Sequence, residues 1–190
     1  MTVAAPLLAF RRVACVRGGR LLFEGLDLEL APGEAAVVTG PNGAGKSSLL
    51  RLAAGLLGAG AGEVVRSVRA GFADEKPALD PKLTLGRALA FWARIDGVSP
   101  SPGMQAMGIA HLADVPVRIL STGQRKRAAL ARLVSGEAPL WLLDEPANGL
   151  DAEGLDRLTA AMAAHRGGGG AILAASHQPL GLDGAKAVAL

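Results

Sequence analysis

Residues 40–47 read Gly-Pro-Asn-Gly-Ala-Gly-Lys-Ser, between an unbroken apolar run at 35–39 and a helix-forming stretch at 48–57 that stops at Gly58. Few eight-residue segments restrict a fold as tightly. The apolar run suits a strand covered on both faces, and the glycines let successive backbone N–H groups turn inward as an anion nest. The helix that follows aims the positive end of its dipole at the same point. Lys46 can then reach the β- and γ-phosphates of a nucleotide, and Ser47 can offer its hydroxyl to Mg²⁺. Strand, glycine loop and helix together call for an α/β chain that holds a nucleoside triphosphate.

The rest of the sequence supplies the layers around that loop. Short apolar runs at 7–10, 13–16 and 26–30, separated by Arg17-Gly18-Gly19-Arg20 and followed by Ala31-Pro32-Gly33, predict antiparallel strands ahead of it. Residues 76–134 differ in character. Helical periodicity at 84–95 and 125–134, broken by Pro- and Gly-rich segments, predicts a helical subdomain over 76–134 inside a single domain spanning 1–190. A strand at 140–143, a helix at 151–165, a glycine turn at 167–170 and a strand at 171–175 then restore the alternation of a parallel sheet.

Two further groups carry chemistry. Leu140-Trp141-Leu142-Leu143 runs into Asp144 and Glu145. Adjacent strand residues point opposite ways, so Asp144 can face a metal ion while Glu145 turns toward an attacking water. Leu120-Ser121-Thr122-Gly123-Gln124 precedes the helix at 125–134. Alone, this would be a helix N-cap. Its spacing to Asp144-Glu145, to Pro146-Ala147-Asn148-Gly149-Leu150-Asp151 and to Ser176-His177 makes nearly the whole chain resemble the ATP-binding subunit of ABC transporters.

That resemblance assigns roles position by position. Gly40, Pro41, Asn42, Gly43, Ala44, Gly45, Lys46, Ser47 and Ser48 form the Walker A loop, and Ser121, Gly123 and Gln124 lie in the signature motif. Asp144 and Glu145 are the Walker B carboxylate and the catalytic base, Asp151 closes the D-loop, and His177 is the switch histidine. An imidazole there can hold base and water in line. The implied ligands are ATP and Mg²⁺. The implied partners are a second copy, which completes composite ATP sites, and an integral membrane permease, with the chain peripheral on the cytoplasmic face of the inner membrane.

Two positions depart from the family pattern. Where an aromatic usually stacks on adenine the chain has Arg17, whose guanidinium plane can also stack on a base. The segment that usually carries the Q-loop glutamine reads Gly71-Phe72-Ala73-Asp74-Glu75-Lys76-Pro77 and has none, which makes Asp74 the candidate there for the metal shell. Within the family, the wording from Leu120 to Leu133 and Gln178-Pro179-Leu180 after the histidine look like the ATP-binding subunit of the cytochrome c maturation exporter, a haem-linked system.

Other readings stay open at this level: a subunit exporting another substrate, a soluble ABC protein acting on ribosomes or DNA, or a small P-loop kinase. Composition bears on them. Aromatics make up 3% of the chain and tyrosine is absent, so platforms for stacking single-stranded bases are scarce and no nucleic-acid partner is expected. The formal charge of +3 decides little. Cys15, the single cysteine, reads as a buried apolar residue, His111 and His165 as ordinary surface or helix residues, and the Phe91-Trp92 pair as apolar surface for a partner or for packing inside the insert.

Overall fold

A computed structural model describes residues 5–74 and 78–190. Lys76, where the expected helical subdomain begins, lies outside the described residues, as do Glu75 and Pro77. The chain forms two sheets. Strands β1 (Leu8–Arg17), β2 (Arg20–Leu30) and β4 (Ala61–Arg66) make an antiparallel sheet ordered β2-β1-β4. Strands β3 (Ala35–Thr39), β5 (Ala70–Ala73), β6 (Leu140–Asp144), β7 (Ala171–Ala175) and β8 (Lys186–Ala189) make the second sheet, ordered β5-β6-β7-β3-β8 with parallel pairing.

The parallel sheet is apolar on both faces because both are covered. Leu140 and Leu142 of β6 pack with Ala36, Val38, Leu173 and the antiparallel strands, under helix α1 (Lys46–Ala54). Trp141 and Leu143 face the other way, against α4 (Thr122–Ser135) and α5 (Ala152–Gly167). One alternating strand thus serves two cores. α2 (Leu85–Asp96) and α3 (Ser101–Ala106) add Leu85, Leu89 and Met104 to the second core, and two short 3₁₀ turns follow at Ala110–Leu112 and Val117–Ile119.

The predicted helices and the strands at 35–39, 140–143 and 171–175 recur within a few residues. The separate runs at 7–10 and 13–16 are instead one strand, β1, with a register irregularity between Phe10 and Val13. Arg12 sits there at φ 49, and its N–H donates to Asp27 Oδ1 at 2.8 Å. Helix α1 ends earlier than Gly58, since Gly55 already takes the left-handed conformation that closes a helix. Cys15 is fully buried.

Candidate functional site

Parallel strands end on one edge, so β3, β6 and β7 deliver their C-terminal residues together. Thr39 opens the glycine loop, Asp144 and Glu145 follow β6, and Ser176 and His177 follow β7. Between them lies an open cleft of about 590 Å³. Arg17, Asn42, Gly43, Gly45, Lys46, Ser47, Ser48, Asp144, Glu145 and His177 line it. Gly45 stands before α1 at φ 115, and a Cβ there would come 3.1 Å from a Phe23 ring carbon, so a side chain would be both strained and crowded.

The buried Lys46 donates from Nζ to the carbonyls of Gly40 at 2.8 Å and Pro41 at 3.1 Å, which parks the ammonium at the mouth of the loop. Asp144 is buried, and burial raises its pKa against the opposing hydrogen bond from Ser47. A buried carboxylate that meets a hydroxyl beside a phosphate nest is a hard oxygen pair, the donor chemistry Mg²⁺ takes. The two residues fit that ion. Among the described residues no three His, Cys, Asp or Glu side chains gather closely enough to hold a metal alone. A cation here would therefore draw the rest of its shell from phosphate oxygens and water.

Glu145, one residue further on, lines the same cleft. His177 Nε2 lies 3.5 Å from Glu145 Oε1 and 3.2 Å from Asn42 Oδ1, and the His177 backbone N–H approaches Glu145 Oε2 at 3.4 Å. The imidazole therefore bridges the acid after β6 and the glycine loop after β3.

The family model for ABC transporters matches residues 23–148. The chain belongs to the ABC transporter family. The cytochrome c biogenesis ATP-binding export protein CcmA of Sphingopyxis alaskensis is 57% identical over 179 residues, covering 93% of this chain and 92% of that protein. The protein of the same name from Zymomonas mobilis is 52% identical, over 96% of this chain and 84% of its own. Among solved structures, an ATP-binding subunit of an ABC transporter superposes with a TM-score of 0.82 at 23% identity, covering 90% of this chain and 79% of that one. The cbiO1 subunit of Clostridium perfringens, part of the transporter complex cbiONQ, gives 0.76 at 24% identity, over 92% and 79%. These two likenesses establish the ABC ATPase fold.

The chain is thus an ATP-hydrolysing, nucleotide-binding subunit of an ABC transporter. Among the described residues no helix is long and apolar enough to cross a membrane. Not every sequence-predicted residue reaches the cleft. Gly40, Pro41 and Ala44 of the loop do not line it, nor do Asp74, Ser121, Gly123, Gln124 and Asp151. Ser121 is an exposed N-cap of α4 in a capping box: its Oγ accepts from Gln124 N at 3.2 Å, and Gln124 Oε1 accepts from Ser121 N at 2.9 Å.

Gly123 comes so close to the D-loop that a Cβ would stand 2.8 Å from the Gly149 carbonyl. Asp151 caps α5 through the Gly154 N–H at 2.9 Å, and Arg127 of α4 reaches both Asp151 and Glu153 at 3.9 Å. Signature helix and D-loop are therefore one packed unit. Asp74 follows β5 and pairs with Arg51 of α1 at 3.5 Å, close enough that its charge and that of Arg51 both act on Asp144.

Two cleft residues escaped the sequence reading. Leu22 of β2 and Asn148 of the D-loop both line it. Asn148 stood inside a quoted motif without a role, and Leu22 carried no signal beyond a strand pattern.

Proposed function

We propose that this chain powers the haem export complex of cytochrome c biogenesis, as one of two identical ATPase subunits on the cytoplasmic face of the inner membrane. The cargo rests on kinship with the export proteins of Sphingopyxis and Zymomonas. The hydrolytic mechanism rests on one observation: Glu145, at the floor of the cleft, is held by His177, which is itself held to the glycine loop by Asn42.

From that arrangement the steps follow. Backbone N–H groups of residues 42–48 cradle the triphosphate of ATP, and Lys46 swings from the Gly40 and Pro41 carbonyls onto its phosphate oxygens. Glu145 takes the proton of the attacking water while His177 keeps carboxylate and water in line. Ser47 and Asp144 would hold Mg²⁺, with Asp74 beside them; when bound, the ion neutralises charge developing on the phosphate oxygens. Ser121, Gly123, Gln124 and Asp151 of each copy complete the site of the other. Arg17 and Leu22 flank the adenine end. No nucleic acid takes part.

The permease docks on the helical segment. Phe91 and Ile95 of α2 are 55% and 63% exposed, one helical turn apart, and a hollow of about 190 Å³ opens beside them between Ala78, Leu83, Ala88 and Trp92. Isolating the complex from membranes and identifying the integral subunit tests the partner.

Glu145→Gln tests the chemistry. It keeps shape and hydrogen bonding but removes the base, so turnover should fall by about 100-fold or more while ATP binding persists and an ATP-bound dimer accumulates. Steady-state phosphate release and light scattering in ATP measure both. A variant that kept most of its activity would move the base elsewhere.

A further inference from the structure

The peptide unit joining Asp144 to Glu145 is under unusual constraint. Glu145 has φ 46, a left-handed conformation that a residue with a Cβ adopts only when its surroundings impose it. Two bonds hold the peptide unit in place. On one side the Glu145 N–H donates to the Ala175 carbonyl of β7 at 2.9 Å. On the other, the Asp144 carbonyl of the same unit accepts from Lys126 Nζ at 3.2 Å.

Lys126 is 4% exposed, a buried cation in the second turn of α4, five residues after Ser121. A buried ammonium is held only where polar partners compensate its lost hydration. Here one of those partners is the carbonyl between the two carboxylates.

We propose that Lys126 is a positioning residue for hydrolysis. By fixing the Asp144–Glu145 peptide from the side opposite β7, it sets the direction from which each carboxylate leaves the strand end and sustains the strained φ of Glu145. Lys126 belongs to the helix whose N-terminus is offered to the partner's nucleotide. A shift of that helix therefore reaches this chain's own base through one side chain. The inference rests on Glu145 being the base, as proposed above.

Three variants measured together test it. Lys126→Met keeps the apolar stem and deletes the donor, and a misplacement of about 1 Å at a reacting group costs on the order of 100-fold. We expect kcat at saturating ATP to fall by about 10- to 100-fold, with the ATP Kd of the isolated chain within about twofold of the parent. Lys126→Arg, which restores a cationic donor, should recover kcat to within about threefold. If Lys126→Met does not fold, Lys126→Gln, a neutral donor of shorter reach, takes its place under the same criteria.

A kcat within about twofold of the parent overturns the assignment, as does a loss of kcat matched by an equal loss of ATP affinity, or no recovery with arginine. Glu145→Gln, run in parallel, separates the two claims. Should it stay active, the base is wrong; should it be inactive while Lys126→Met turns over normally, Lys126 alone is wrong.

Discussion

Arg17 shows what one unexpected side chain implies for affinity. It lines the nucleotide cleft beside Leu22, at the end of the β1–β2 hairpin where Arg17 pairs with Arg20. An exposed cation–π contact with adenine is worth about 0.5–1 kcal/mol, so Arg17→Ala should raise the ATP Kd only a few fold and Arg17→Tyr should restore it. Equal affinities for all three proteins by calorimetry would leave Arg17 a solvated turn residue. The glycine-loop residues of the cleft were legible because their pattern is local, Asp144 and Glu145 because they end an apolar run, and Arg17 and His177 through the family resemblance. Leu22 was not, because the sequence reading began this strand's apolar run at Leu26, whereas β2 starts at Arg20 and folds Leu22 back on β1.

Among the elements, α5 and β7 hold a device that the sequence did not announce. His165 stacks on Trp141 of β6 with ring centroids 4.0 Å apart and planes 9° from parallel, and its Nε2 lies 3.3 Å from the Ala171 carbonyl. Read as a surface or helix residue, it is a helix residue whose ring is half-buried. Burial lowers its pKa below the usual 6.5, although the Ala171 and Pro139 carbonyls act the other way. The unfolded chain therefore takes up the proton first. Stability is full above 6.5 and declines as pH falls from there toward the lowered value. His165→Phe keeps the stack without the titration. Its urea midpoint should change less than the parent's between about pH 7.5 and 5.5. Parallel curves for the two proteins would show that His165 contributes nothing to the acid side.

Element by element, the strands that escaped sequence reading share a physical reason. β4 is exposed along most of its length and carries no alternation, and β5 and β8 have four residues each. What orders them is pairing with β1, β6 and β3, contacts made across long stretches of chain. The longer helices and the buried strands were readable, because their periodicity is written locally by the cores they fill.

At the scale of the whole molecule, Ser121 lies outside the cleft of its own chain, exposed and capped only by its own helix. If two copies combine head to tail, hydrolysis depends on association, and specific activity should rise with protein concentration in the dilute range. Ser121→Arg should cripple turnover while leaving ATP binding by the isolated chain almost intact. Mixed with Lys46→Ala, it should recover part of the activity, because the heterodimer has one site with both defects and one with neither. Activity independent of concentration, with no recovery on mixing, would reduce Ser121 to a helix cap.

The chain has two tryptophans and no tyrosine, so its intrinsic fluorescence comes from two indoles. Their surroundings are opposite. Trp141 is 4% exposed and sealed under the His165 ring, remote from solvent whatever binds. Trp92 lies at the rim of the hollow on α2, in edge contact with Phe91 and with the Arg132 guanidinium 3.6 Å above its ring. A shift in emission when the permease is added would therefore report on α2 alone. If the permease docks on α2 as proposed, the protein carries a built-in optical probe at that contact.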